Sequence, residues 1–231
     1  MAFEMLAKSL PLKYIARHRD SARQTQALLF GQAGLLDINV HDEYSKALYK
    51  EYLFLKNKYQ LHPIDKSLWN FLRVRPQNSP HIRLAQLSAL LQTKPALFSH
   101  IIETGPYENI YNLFSVNADV YWSTHFIFTK TTQNKSTKLG KSSIENILIN
   151  TVVPVLFAYG NTKKNDAIKE KALNMLEHLP PETNIIVKHW KERGLEAKSA
   201  YDTQALTELK NVYCDAKKCL SCMIGDKILR Q

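Results

Sequence analysis

The chain has 231 residues, 45% of them hydrophobic, and carries 31 Lys and Arg against 21 Asp and Glu, a formal net charge of +10. That apolar share is enough for a sizeable core, one large domain or two small ones, and excludes a disordered chain. The positive excess suits a nucleic-acid or other anionic partner, although charge alone describes solubility and non-specific attraction rather than a site.

The start, MAFEMLAKSLPLKYIARH, has neither a continuous apolar segment nor a small-residue cleavage site. No secretory signal is read there, and the cytoplasm is the expected compartment. Phe3 to Leu10 reads as a short helix stopped near Pro11, and a second helix runs from about Leu12 to Arg19. Ser21 caps a third, with Ala27, Leu28 and Leu35 on its apolar face. Gly31 and Gly34 interrupt that helix, where a glycine costs about 1 kcal/mol relative to alanine, so the close approach of another backbone is expected.

Asp42 to Tyr59 is amphipathic, with Tyr44, Leu48, Tyr52 and Leu55 on one side. In RVRPQNSPHIRLAQL, Pro76 ends one element, and Ser79 and Pro80 open the next as N-cap and first helical residue. That helix buries Ile82, Leu84, Leu87, Leu90 and Leu91. Pro95 opens a further short helix through Ile102, and Gly105 and Pro106 mark the following turn. VNADVYWSTHFIF, residues 116 to 128, reads equally as an irregular loop or a short strand. The polar run KTTQNKSTKLGK reads as a surface loop, residues 130–142, between an N-terminal half, 1–129, and a C-terminal half, 143–231.

The most apolar stretch is SIENILINTVVPVLFAYG. Ile144, Ile147, Leu148, Val152, Val155 and Leu156 recur at helical spacing, widened by Val153 and Phe157, which predicts a buried central helix over about 143–159. Ser142 or Ser143 would cap it, Gly160 would end it, and Pro154 would kink it near Asn150 and Thr151. An apolar run shorter than about 18 residues, broken by Glu145, Asn146, Asn150 and Pro154, argues against a membrane span. Beyond it, helices are expected over Asp166 to Leu179, Thr183 to Arg193, Asp202 to about Tyr213 and Ile224 to Leu229. The expected fold is an all-α irregular bundle of nine or ten helices around that central helix.

Three places carry candidate chemistry. Cys214, Cys219 and Cys222, in C-x4-C-x2-C spacing, suit zinc or an iron–sulfur cluster, with His189, His178 or Asp215 as a fourth ligand; the bland alternative is three small buried side chains. Arg73, Arg75 and Arg83 surround a proline-bracketed turn and a helix start, a phosphate-binding arrangement or a self-braced turn. Lys130, Lys135, Lys138 and Lys141 extend the basic character without the glycines of a P-loop, which excludes nucleotide hydrolysis by that motif. Tyr121, Trp122 and His125 could stack a base or line a pocket with His125 as base, or could simply be packed aromatics. No paired-carboxylate, Ser-His-Asp or HExxH pattern is present.

ALLFGQAGLL, RPQNSPHIRLAQL, YWSTHF, LGKSSIENILINTVVPVLFAYG and YCDAKKCLSCMIG, in this order, resemble an uncharacterised bacterial family known only as a domain of unknown function. The resemblance implies that this chain is the helical C-terminal half of such a protein, separated from an N-terminal domain with acidic and histidine motifs similar to nucleases. It also implies that Arg75, Asn78, Arg83 and Gln86, the YW-H segment and the three cysteines belong to family motifs. The cysteine text is similar to the end of iron–sulfur DNA-repair glycosylases but lacks their last cysteine and any preceding helix-hairpin-helix. The expected function is therefore a non-catalytic structural or interaction domain. The alternatives are a nucleic-acid-binding accessory domain with a structural metal, and an enzyme centred on His125.

Overall fold

A computed structural model describes residues 2–36, 42–105, 107–128 and 130–230. The chain is all-α apart from one two-stranded hairpin, as its periodicity predicts, and divides into two compact units. Unit 1 comprises Met1–Ile101 and Asn112–Leu139; unit 2 comprises Ile102–Tyr111 and Gly140–Gln231. Among the described residues thirteen α-helices appear, more than the expected nine or ten, because several last only two turns. Pro106, part of the expected turn after Gly105, lies outside the described residues.

Unit 1 opens with α1 (Ala2–Ser9), α2 (Leu12–His18) and α3 (Ala22–Gln32). Ser21 caps α3 by accepting from the Gln24 amide at 3.3 Å. All eight residues from Thr25 to Gln32 are buried, although the run includes a threonine, two glutamines and a glycine. Burial is tolerated because each polar side chain is satisfied. Thr25 donates to the His18 carbonyl, Gln26 accepts from the Tyr44 hydroxyl, and Gln32 donates to the Ser9 carbonyl while accepting from Tyr52 at 3.1 Å.

Helix α4 (Glu43–Tyr59) starts at Asp42, whose carboxylate accepts from the Ser45 amide at 2.7 Å, and buries Leu48, Tyr52 and Leu55 against α3. A Cβ on Gly31 would collide with the Tyr52 ring, so a side chain makes the close approach there; at Gly34, with φ +69°, the obstacle is the Ile64 carbonyl, a backbone. Helix α5 (Pro80–Thr93) packs its Leu84 and Ala85 on the same core, joined by Trp122 and Phe128. Helices α6 (Leu97–Glu103) and α7 (Tyr107–Leu113) follow, and the division between the units falls within each.

The aromatic segment resolves into a 3-10 turn, Val120–Ser123, capped by Asp119, then strand β1 (His125–Ile127) paired antiparallel with β2 (Lys130–Thr131). The polar run after it is bonded into unit 1 as far as Leu139. Leu139 N bonds to Val116 O, Lys135 N to Ser123 O, and Asn117 pairs with Lys138, so residues 130–139 belong to unit 1.

In unit 2, α8 (Lys141–Ile147), a π-helical turn (Leu148–Val152) and α9 (Val153–Thr162) form one continuous helix. Its start has Gly140 rather than a serine at the cap position, and it runs past Gly160, where a Cβ would meet the backbone of Asn165 and Lys169. It is 22 residues long with a hydropathy of 1.3, long and apolar enough by length and composition to cross a membrane. At the position of the expected kink, near Asn150 and Thr151, the helix makes the π turn, in which Val153 N reaches Leu148 O. Pro154 has no amide for Asn150 and would crowd that carbonyl, and the wider turn displaces it.

This helix is one-sided rather than enclosed. Ile144, Leu148, Val152, Leu156 and Gly160 are buried, whereas Val155 and Phe157 are 47% and 42% exposed. An ideal helix turns about 100° per residue, so the one extra residue in the π turn sets everything after it back by about 100°. That shift brings the four-residue spacing 144, 148, 152, 156, 160 onto one face and rotates Val155 off it. The α9 part of the helix packs on α10 (Asp166–His178), capped by Asn165. Then come α11 (Ile185–Lys191), capped by Asn184, and α12 (Ala200–Glu208). Ser199 caps α12, with the expected cap Asp202 closing a capping box at the third helical position. A second π turn, Leu209–Cys214, and α13 (Met223–Leu229) complete the unit.

Candidate functional site

The arginine turn, Pro76–Asn78, leads into α5. Arg83 braces it from within: its guanidinium donates to Asn78 Oδ1 at 2.7 Å and Gln86 Oε1 at 3.0 Å, and burial lowers its pKa. Arg73, in a left-handed backbone conformation at φ +57°, and Arg75 are exposed, and no carboxylate pairs with either among the described residues. The three arginines thus divide into one brace and two surface cations. Ser79 stands at the expected cap position, but its hydroxyl donates to the Phe126 carbonyl at 2.8 Å, and Gln86 Nε2 donates to the Thr137 carbonyl at 3.3 Å. These two bonds fasten the turn to the β1–β2 hairpin and to the lysine loop, 47 and 51 residues along the chain.

Lys130, Lys135 and Lys138 are exposed on that hairpin and loop, also without a carboxylate partner among the described residues. Lys141 belongs to unit 2, 3.9 Å from Glu145. On unit 1, therefore, Arg73, Arg75, Lys130, Lys135 and Lys138 stand on segments bonded to one another.

Beside them three rings lie parallel. Tyr44 stacks on Tyr121 with centroids 3.9 Å apart, and Tyr121 on His125 at 4.0 Å, both pairs tilted by only 7°. The Tyr121 hydroxyl donates to Asp42 Oδ2 at 2.6 Å. Burial and that bond to a carboxylate raise the Tyr121 pKa. Burial would raise the Asp42 carboxyl too, but hydrogen bonds from the Ser45 and Tyr121 hydroxyls and the Ser45 amide, with the nearby charge of His125, hold it below the usual range. His125 Nδ1 faces the Tyr121 carbonyl at 3.0 Å and the Thr124 hydroxyl at 3.1 Å, so it bonds to no carboxylate and no nucleophile beyond that threonine. Trp122 is buried in the core, stacked on Phe30 at 5.2 Å.

His81 sits below the turn among Phe30, Phe71, Trp122 and Phe128. Its Nδ1 has no hydrogen-bond partner, and burial, with Lys66 nearby, pushes its pKa down to about 3. Neither His81 nor the Asp42–Tyr44 partnership stands out in the sequence. His81 lies inside the RPQNSPHIRL text, and an imidazole flanked by apolar helix positions is the only local signal.

The cysteines are not the small buried side chains of the bland alternative. Cys214 and Cys219 are exposed and Cys222 is half-buried, so they are not core side chains. Among the described residues no group of three or more His, Cys, Asp or Glu side chains stands together as a metal site would need. Cys214 and His189 line one cavity of about 260 Å³ with Trp190, Arg193 and Asp215, but Lys210 Nζ holds that aspartate at 2.6 Å. A second hollow of about 380 Å³ between the start of α7 and α10 is edged by Tyr107, Glu108, Glu170 and His178. There Lys171 donates to the Ile102 and Thr104 carbonyls, and burial lowers its pKa.

A family model described as "Protein of unknown function (DUF2851)" matches residues 1–185. The arginine turn, the hairpin, the lysine loop and the long apolar helix fall inside that span, and the cysteine text falls beyond it. No curated protein and no solved structure matches the chain.

Proposed function

The chain belongs to the DUF2851 family, and from that premise we propose that it is a non-catalytic interaction domain whose unit 1 binds nucleic acid. The observation that carries this reading is the fastening of the arginine turn to the hairpin and lysine loop, Ser79 to Phe126 and Gln86 to Thr137. It gathers five exposed cations, none paired with a carboxylate among the described residues, from two distant parts of the sequence onto one set of bonded segments. Phosphate contacts by lysine and arginine supply most of the sequence-independent affinity for nucleic acid. An enzyme centred on His125 has less support, since one face of its ring is covered by Tyr121 and its Nδ1 is engaged by a carbonyl.

The setting we propose is the cytoplasm, where three free thiols stay reduced. The helix Lys141–Thr162 serves there as a packing element, because its stripe is buried and its α9 part packs on α10. Fluorescence anisotropy with a labelled oligonucleotide tests the function. Binding at 50 mM salt should weaken steeply by 200 mM, with log K falling against log salt by roughly 0.7 to 0.9 per phosphate neutralised. The triple variant Lys130→Gln, Lys135→Gln, Lys138→Gln should flatten that slope by about 2. No binding at 50 mM ends the reading.

A further inference from the structure

We propose that the stack Tyr44–Tyr121–His125 is built to continue into an unpaired nucleobase lying on the open face of His125, so that the nucleic acid bound is single-stranded. This rests on the nucleic-acid reading of unit 1 and deepens it. Three parallel rings 3.9 and 4.0 Å apart already have the spacing of stacked bases, and the series stops at His125. Tyr121 covers one face of the imidazole; no ring packs on the other among the described residues, and the residue is only half-buried. A ring that ends a stack in this way offers a π-face to any base, whatever its identity.

The platform is held before a ligand arrives. The Tyr121 hydroxyl is fixed by Asp42 and by the Phe128 carbonyl at 3.2 Å, Tyr44 by Gln26, and the imidazole edge by the Tyr121 carbonyl and Thr124. Little rotamer freedom then remains to be lost on binding. His125 pairs across the hairpin with Thr131, next to Lys130, and Lys135 N is bonded to Ser123 O, two residues before His125. Cations for the backbone and a face for the base therefore come from the same hairpin and loop, the combination by which single strands are held. A duplex keeps its base faces covered by its own stacking and can offer this platform only phosphates.

Anisotropy titrations of the full chain at 50 mM salt test it, using three labelled ligands: oligothymidylate, an abasic oligomer of the same length and charge, and a duplex. The base-bearing single strand should bind about tenfold tighter than the abasic oligomer. His125→Ala should abolish that difference without changing the salt slope, and His125→Phe should restore it. Equal binding of the base-bearing and abasic strands by the unaltered protein overturns the platform while leaving the basic surface intact. So does a His125→Ala variant that keeps the tenfold preference. If none of the three ligands binds, the nucleic-acid reading fails and the platform with it.

Discussion

Helix α3 and the helix Lys141–Thr162 reverse what their compositions suggest. The second is the greasiest stretch of the chain, yet it leaves Val155 and Phe157 in solvent; the first holds Thr25, Gln26, Gln32 and Gly31 and is enclosed on every side for eight residues. Enclosure of so polar a helix needs its own polar side chains answered and its neighbours able to come close. In unit 1, Tyr44, Tyr52 and the carbonyls of Ser9 and His18 answer the polar atoms, and Gly31 admits the Tyr52 ring. In unit 2 only one face of the long helix is matched by a partner. Hydrophobicity states what a helix tolerates, and partners determine what it buries.

Truncating one phenylalanine in each region breaks or sharpens this contrast most directly. Phe30, on α3, is fully buried and packs on Trp122, His81 and Phe128. Phe30→Ala should cost about 3 to 5 kcal/mol, the usual loss for a buried aromatic. Phe157→Ala, at a site 42% exposed, should cost less than about 1 kcal/mol. Urea denaturation of the two variants checks both, and comparable losses would mean that the apolar helix is buried after all.

The same contrast explains what could be read beforehand. Element type was legible where a 3.6-residue period was clear: Ser21 caps its helix, and the Leu48, Tyr52, Leu55 stripe is buried as the pattern puts it. The apolar stripe from Ile144 was legible through Leu148, Val152, Val153 and Leu156, but Val155 and Phe157 fall off it, because a uniform 100° step cannot anticipate an inserted residue. The candidate surface was legible as pieces. Arg73, Arg75 and the lysines announce themselves by charge, but their joining depends on hydrogen bonds spanning 47 and 51 residues, which leave no local trace. Tyr44 and Tyr121 stack from positions 77 apart for the same reason. His125 was visible by type, and its role at the end of a stack was not. The cysteine spacing was legible as a pattern, and the exposure of Cys214 and Cys219 was not.

Acid should expose the less apolar core of unit 1. His81 is held neutral there, its pKa pushed down to about 3 from an ordinary 6.5. Below pH 6.5 the unfolded chain takes up a proton that the folded state refuses, so stability should fall with pH until about pH 3. At pH 5 the deficit is on the order of 2 kcal/mol at 1.36 kcal/mol per pH unit. His81→Leu, which removes a buried nitrogen without a partner, should lose that slope between pH 6.5 and 4. Asp42 adds its own loss only nearer its unfolded value of 3.8 and below. Unfolding followed from pH 7 to 4 should therefore show a steeper acid limb in the unaltered protein than in the variant. Parallel limbs would remove His81 as the cause.

The smallest effect concerns the π turn, and it tests why the apolar helix faces as it does. If the turn is one inserted residue that corrects the phase of the stripe, then deleting the exposed Asn150 should restore an ordinary helical ladder. Leu156 and Gly160 would stay on the buried face. Pro154 must be replaced in the same variant, because its ring would otherwise crowd the carbonyl four residues earlier in the restored ladder. The deletion of Asn150 combined with Pro154→Ala gives up the Asn150 side-chain bond to Glu182, 3.3 Å and solvent-exposed, and gains regular backbone bonds. The two should offset to within about 1 kcal/mol. Pro154→Ala alone should leave the π turn in place, because Leu156 and Gly160 hold the phase by packing on α10. Thermal unfolding gives the stability, and hydrogen exchange at residues 148–156 reports the ladder. Loss of unit 2 on deletion would show that the extra residue is structurally required, and that the phase of the stripe is set by something other than that one insertion.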